Sequence, residues 1–211
     1  STVKDLNING DVKSIKNSAG TGSSIENITV TGNVEIIEEQ AFSACDKLQT
    51  VNVGSVETVG YRAFYKCDGL TEVNIPGVKY IEMGAFRECT ALETITLESV
   101  VIIDDNAFMD CSGLTSVVIS EYCTMIGEGA FCNAVSLETV YCYAVYPPFI
   151  KTDNYNSSYA FDNVHDDICI YIPVGSEDYY LDDEIFEGQT FEDENIEAEI
   201  NWWCEEYEDY L

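Results

Sequence analysis

An Ala-Phe pair recurs at a near-constant step, at Ala41-Phe42, Ala63-Phe64, Ala85-Phe86, Ala107-Phe108 and Ala130-Phe131, at steps of 22, 22, 22 and 23 residues. The rest of the unit keeps the same period. Cys45, Cys67, Cys89 and Cys111 follow three residues after the Phe, and Leu48, Leu70, Leu92, Leu114 and Leu137 six after. Behind each Leu stand two alternating apolar positions, Val51/Val53, Val73/Ile75, Ile95/Leu97, Val117/Ile119 and Val140/Cys142. A unit this short cannot bury its own apolar face. It has to stack on its neighbours, which makes the chain a solenoid of repeats.

A period in this range belongs to the leucine-rich class of solenoid. Phe, Cys and Leu three apart share one side of a helix, so the spacing predicts a short helical turn facing the core. The following Leu-x-x-Val-x-Val has period two and predicts a strand with Val51 and Val53 inward and Thr50 and Asn52 outward. A second apolar position, at Val59, Ile81, Ile103 and Ile126, returns the chain to the next Ala-Phe. Translated copies of the strand pair in parallel, about 4.8 Å apart, into a continuous ribbon. Weaker units precede the strong ones, with Leu6/Ile8 and Ile28/Val30, so seven coils are expected from about residue 3 to about residue 142. The first lacks Ala-Phe, and its polar stretch 17–24 reads as flexible. After Cys142 the register breaks at Pro147-Pro148, and the run from Ile168 to Ile172 reads as a C-terminal coil or cap, since the end of a solenoid core has to be covered. The expected fold class is an α/β repeat, a right-handed leucine-rich-repeat solenoid with a parallel β ribbon, short helical turns and a C-terminal cap. Its expected extent is 1–175, with capping from about 143, followed by an acidic capping segment or tail over 176–211.

The chain carries 39 acidic and 9 basic residues, a formal charge of −30. Residues 176–211 hold 15 of the acidic ones and no Lys or Arg. Such a surface repels phosphate, which argues against nucleic acid and anionic lipid and leaves a basic protein surface or a divalent cation as compatible partners. It also keeps an edge-bearing repeat protein soluble. No apolar run reaches the length of a membrane span, so no direct membrane insertion is expected. Four of the nine cysteines occupy one rung, where Ala134 replaces them in the fifth unit, and this favours packing over disulfides. The others lack paired metal-ligand spacing, and His165 is the one histidine, so neither a metal nor a cofactor is expected.

Convergent chemistry is weakly signalled. His165 and Cys169 are four apart, but Cys169 lies in an alternating run and reads as packed. Asp104-Asp105, Asp166-Asp167 and Asp182-Asp183 read as solvated turns, because sequence neighbours on a strand face opposite ways and no calcium loop is present. Asn27-Ile28-Thr29 and Asn156-Ser157-Ser158 match a glycosylation acceptor pattern that arises often by chance. Tyr143, Tyr146 and Tyr155 belong to a Tyr-rich stretch that is divided between cap packing and interface use. The candidate binding surface is the outward face of the ribbon: Thr50, Asn52, Glu72, Asn74, Thr94, Thr96, Ser116, Val118, Thr139 and Tyr141. These side chains are short and mostly uncharged, so a partner can approach without desolvating many charges. No catalytic residue is assigned.

Read as a consensus, Ala-Phe-x-x-Cys-x-x-Leu-x-x-Val-x-Ile with returns such as Val59-Gly60 and Ile126-Gly127 resembles the BspA-like leucine-rich repeat family of bacterial and protist surface proteins. Tyr146-Pro147-Pro148-Phe149, Phe161, Tyr171-Ile172-Pro173-Val174-Gly175-Ser176 and Tyr179-Tyr180 resemble that family's terminal module. The acidic ending with Trp202-Trp203 departs from it. The resemblance implies a secreted or cell-surface, non-enzymatic interaction module that adheres to host extracellular proteins or glycans. A structural spacer within a larger surface protein is the second reading, and a glycan-active enzyme the third.

Overall fold

Alternation of apolar and polar residues yields the strands. In the computed structural model, which describes residues 3–150, 160–165, 168–173 and 176, they are β1 (Asp5–Ile8), β2 (Val12–Ile15), β3 (Asn27–Ile37), β4 (Thr50–Val59), β5 (Glu72–Asn74), β6 (Tyr80–Ile81), β7 (Thr94–Leu97), β8 (Ile102–Ile103), β9 (Ser116–Ile119), β10 (Met125–Ile126), β11 (Thr139–Cys142), β12 (Phe149–Ile150) and β13 (Cys169–Tyr171). Every pairing is parallel, and strands of successive coils are joined in register apart from one shift between Val30 and Asn33 where β3 meets β4. The result is a solenoid of about seven turns. The Leu-x-x-Val-x-Val segments form a first ribbon in which β1, β3, β4 and β5 pair in turn and, further along, β7, β9, β11 and β13 do the same. Between β5 and β7 the ladder is interrupted. The return positions form a second ribbon, β2-β3-β4-β6-β8-β10-β12. Strands β3 and β4, of 11 and 10 residues, pass through the corner and serve both ribbons.

The third side of each coil is where the helical expectation fails. The Ala-Phe segments are successive turns, and no helix occurs among the described residues. The cause is backbone conformation. The residues two before and two after each Phe have positive φ: Gln40 and Ala44, Arg62 and Lys66, Gly84 and Glu88, Asn106 and Asp110, Gly129 and Asn133. A left-handed residue stops a right-handed helix within one turn. It also turns alternate N–H groups along the solenoid axis. Gln40, Phe42 and Ala44 donate to Tyr61, Ala63 and Tyr65 carbonyls of the next coil at 2.8, 2.8 and 2.7 Å, while Ala41 and Ser43 donate to Glu38 and Gln40 within their own coil. A helix would spend all of these donors on itself. The turns instead add a third hydrogen-bonded ladder to the two ribbons. The α/β label is therefore corrected to an all-strand-and-turn solenoid.

Inside, Phe42, Phe64, Phe86, Phe108 and Phe131 form one stack, with ring centroids 5.7, 5.2, 5.3 and 5.2 Å apart. The repeat distance of the backbone dictates this spacing, which lies within the favourable range for offset aromatic stacking. Phe161 continues the stack at 5.1 Å from Phe131. Its Ala160-Phe161 is a sixth copy of the motif, disguised by a 30-residue interval. At the other end Gly20 takes the Phe position. Its N–H donates to the Ala41 carbonyl, and a Cβ there would lie 2.7 Å from the Phe42 ring, so only glycine fits beneath the stack. The stretch expected to be flexible thus forms a coil like the others, with Ser18 and Gly22 at positive φ.

The cysteine rung does more than fill space. Each thiol is buried and donates to a carbonyl of the preceding coil: Cys45 to Gly20 at 3.0 Å, Cys67 to Phe42 at 3.2 Å, Cys89 to Phe64 at 3.2 Å and Cys111 to Phe86 at 3.1 Å. A small apolar side chain with one weak donor suits that place. Burial pushes the Cys89 thiol well up from its ordinary value and the Cys111 thiol up to about 12.

The corners differ from expectation at Asp105. It is buried, not solvated, and its Oδ1 accepts the Glu128 N–H at 3.0 Å. Gly127 makes the approach possible, because a Cβ there would stand 2.3 Å from the Asp105 nitrogen. Strand β13 pairs with β11, Val140 opposite Ile170, and so extends the first ribbon by one coil. Asp166-Asp167, Asp182-Asp183, Tyr155, Asn156-Ser157-Ser158, Cys204, Trp202-Trp203 and the acidic segment after Ser176 lie outside the described residues.

Candidate functional site

The outer face of the first ribbon is built by period-two alternation on stacked strands. One row runs through Asp5, Asn27, Thr50 and Glu72, then Thr94, Ser116, Thr139 and Cys169. The second runs through Asn7, Thr29, Asn52 and Asn74, then Thr96, Val118, Tyr141 and Tyr171. All ten candidate residues, Thr50, Asn52, Glu72, Asn74, Thr94, Thr96, Ser116, Val118, Thr139 and Tyr141, lie on these two rows. They are not equally presented. Asn52, Glu72, Asn74, Thr94 and Thr96 are exposed, whereas Thr50, Ser116, Val118, Thr139 and Tyr141 are half-buried. The exposed group straddles the interruption between β5 and β7.

Part of the rows' hydrogen-bonding capacity is already used along the solenoid. Asn27 Nδ2 donates to Asp5 Oδ1 at 2.7 Å, Thr50 Oγ1 donates to Asn27 Oδ1 at 2.8 Å, and Asn74 Nδ2 donates to Asn52 Oδ1 at 3.0 Å. These bonds align the amides and hold their remaining donors and acceptors at a fixed pitch. Toward the C-terminal end the rows turn apolar and aromatic. Tyr141 and Tyr171 stack with centroids 5.0 Å apart at 17°. Ordered side chains of this kind lose little rotamer freedom when a partner covers them.

Two placements differ from the sequence reading. Cys169 pairs with Thr139 on the outer row and is half-buried rather than packed inward. The second ribbon has an outer row that the sequence reading passed over: Ser14, Ile36, Thr58, Tyr80, Ile102, Met125 and Phe149, one per coil. Its signal was present in the residue preceding each return position, at the period of the repeat. Among the described residues no group of three or more His, Cys, Asp or Glu is placed to hold a metal ion. No helix among them is long and apolar enough to cross a membrane.

The model of the "BspA type Leucine rich repeat region" matches residues 1–77 and 53–165, in six copies. The chain belongs to this family. No curated protein matches it. Among solved structures, a leucine-rich repeat protein from Bacteroides ovatus is similar with a TM-score of 0.54 and 21% identity, over 81% of this chain and 42% of that one. The leucine-rich repeat protein of T. pallidum has a TM-score of 0.48 and 30% identity over 51% of this chain and 52% of that one. A leucine-rich cell surface protein from Faecalibacterium prausnitzii has a TM-score of 0.45 and 18% identity over 65% and 59%. The chain thus spans about half the length of the solved relatives it matches. For this BspA-type chain the likeness to the Bacteroides structure shows the fold, a leucine-rich-repeat solenoid.

Proposed function

We propose that this BspA-type solenoid is a secreted or cell-surface interaction module whose first ribbon docks an extracellular protein or glycan. The observation that carries the reading is the exposed group Asn52, Glu72, Asn74, Thr94 and Thr96 on adjacent coils. Only one of the five is charged, on a chain whose formal charge is −30. A partner laid along them meets amide and hydroxyl groups at a regular pitch and removes few charges from water. The neighbouring Tyr141-Tyr171 stack supplies an aromatic anchor of the kind that dominates binding energy at interfaces. The surface location rests on the family and on the description of the Faecalibacterium protein as a cell surface protein. The family also supports reading the chain as a non-enzyme.

The test is a binding screen against extracellular matrix proteins and glycans, followed by Asn74→Arg and Thr96→Arg variants whose melting is unchanged. Each variant is expected to weaken binding to the partner found by at least about tenfold. Unaltered affinity in both variants removes the first ribbon as the site.

A further inference from the structure

The outer row of the second ribbon differs in kind from that of the first. Tyr80, Ile102, Met125 and Phe149 succeed one another on adjacent coils. Tyr80 is 39% exposed and Phe149 66%, with Ile102 and Met125 half-buried between them. Tyr122, in the turn before β10, is 57% exposed. The fold does not require apolar residues here, since the inward positions Ile81, Ile103 and Ile126 already close the core. A contiguous outward apolar strip marks an interaction surface.

Its borders are acidic. Glu82, Asp104, Glu121 and Glu128 stand within four residues of the strip in sequence. Two cations stand as close in sequence, Lys79, which is held by Glu57 at 3.1 Å, and Lys151, so acids outnumber bases along the border. A second copy of this chain would bring the same acidic charge to the contact and be repelled, as would nucleic acid or anionic lipid. The charge complement is a cationic protein segment. Pitch narrows the choice further. Apolar side chains recur about every 4.8 Å along the strip, the strand spacing. One face of a helix repeats every ~5.4 Å, whereas one face of an extended strand repeats at about twice its 3.3 Å rise. Over the three intervals from Tyr80 to Phe149 the helix drifts out of step by only ~2 Å, which the flexible Met125 can absorb.

We propose that the strip from Tyr80 to Phe149 docks a basic amphipathic helix of another protein. The probe is a synthetic Lys/Leu peptide with Leu at helical spacing, compared by calorimetry with a peptide of the same composition in which Lys and Leu alternate. Non-specific attraction to the acidic chain is common to both peptides. The helical peptide is expected to bind at least about tenfold more tightly. That preference should disappear in a Tyr80→Ser, Phe149→Ser double variant, whose replaced side chains are exposed, and in Met125→Lys, which sets a like charge against the peptide. Asn74→Arg, on the other ribbon, should leave it intact, so failure here and failure of the first-ribbon site are distinguishable. Equal binding of the two peptides overturns the proposal, as does a preference that survives both second-ribbon variants or is lost in Asn74→Arg.

Discussion

Phe86 sits wholly buried between Phe64 and Phe108, with ring centroids 5.2 and 5.3 Å away. Phe86→Ala removes a ring from the middle of the stack, where neither neighbour can collapse without breaking its own ladder. The expected loss is about 3–5 kcal/mol, measured by urea unfolding; a variant as stable as the parent would contradict the stacked core. The thiol beside it offers a second residue-scale test. Burial holds Cys111 at about 12 against an ordinary 9.0, so the folded state keeps a proton that the unfolded chain gives up. Its contribution is whole below pH 9 and is lost as pH rises toward 12, at a slope approaching about 1.4 kcal/mol per pH unit. Cys111→Ala should therefore lose less stability than the parent between pH 8 and pH 10. Equal losses would mean that the thiol ionises as readily in the fold as outside it. Alkylation should likewise spare Cys45, Cys67, Cys89 and Cys111 until the protein is denatured.

The element that most repays attention is the turn ladder. Ala44 shows its logic most simply, because its side chain is exposed, its φ is 57° and its N–H donates to the Tyr65 carbonyl at 2.7 Å. A β-branched residue is poorly accommodated in that conformation. Ala44→Val should cost about 1–2 kcal/mol in chemical denaturation, while Ala44→Gly should cost nothing. Equal effects of the two would show that the left-handed geometry is not what the position demands. The same geometry explains why three-residue spacing misled as a helix signal. Residues three apart also face one way when the chain makes successive turns, and the pattern Phe-x-x-Cys-x-x-Leu does not distinguish the two. The strands, in contrast, were legible, because period two has no such rival for Val51, Val53 and their copies.

At the scale of the whole molecule, each coil contacts its neighbours and stability is close to a sum of coil and interface contributions. The ends are therefore weaker than the middle. The first coil has Gly20 where the others have Phe, and its strands β1 and β2 are each paired on one side in the described structure. Amide exchange followed by mass spectrometry should be slowest around the coils of Phe64, Phe86 and Phe108 and fastest in the first coil. Uniform protection would indicate an all-or-none unit instead of a stacked array. Charge acts at this scale too. Lys4, Lys16 and Lys66 each bond to an acid 22 residues onward, and Lys79 to one 22 residues back, so these cations are committed between coils and the acidic excess faces outward.

The periodic residues by themselves determined that the chain stacks, which side chains enter the core and which rows face out on the first ribbon. Burial requires those choices of any chain with this repeat. They also brought the thiols to one rung. What tertiary structure decided was whatever depends on the neighbouring coil. The left-handed turns are stabilised by carbonyls of the next coil, mostly 21 or 22 residues away, the thiols by the preceding coil, and Asp105 by the Glu128 N–H that Gly127 lets approach. Ala160-Phe161 joined the stack only when space brought together what a 30-residue interval had separated. The apolar strip of the second ribbon likewise became visible as a surface once Tyr80, Ile102, Met125 and Phe149 were in register. A local pattern specifies one coil, and contact between coils selects the backbone conformation within it.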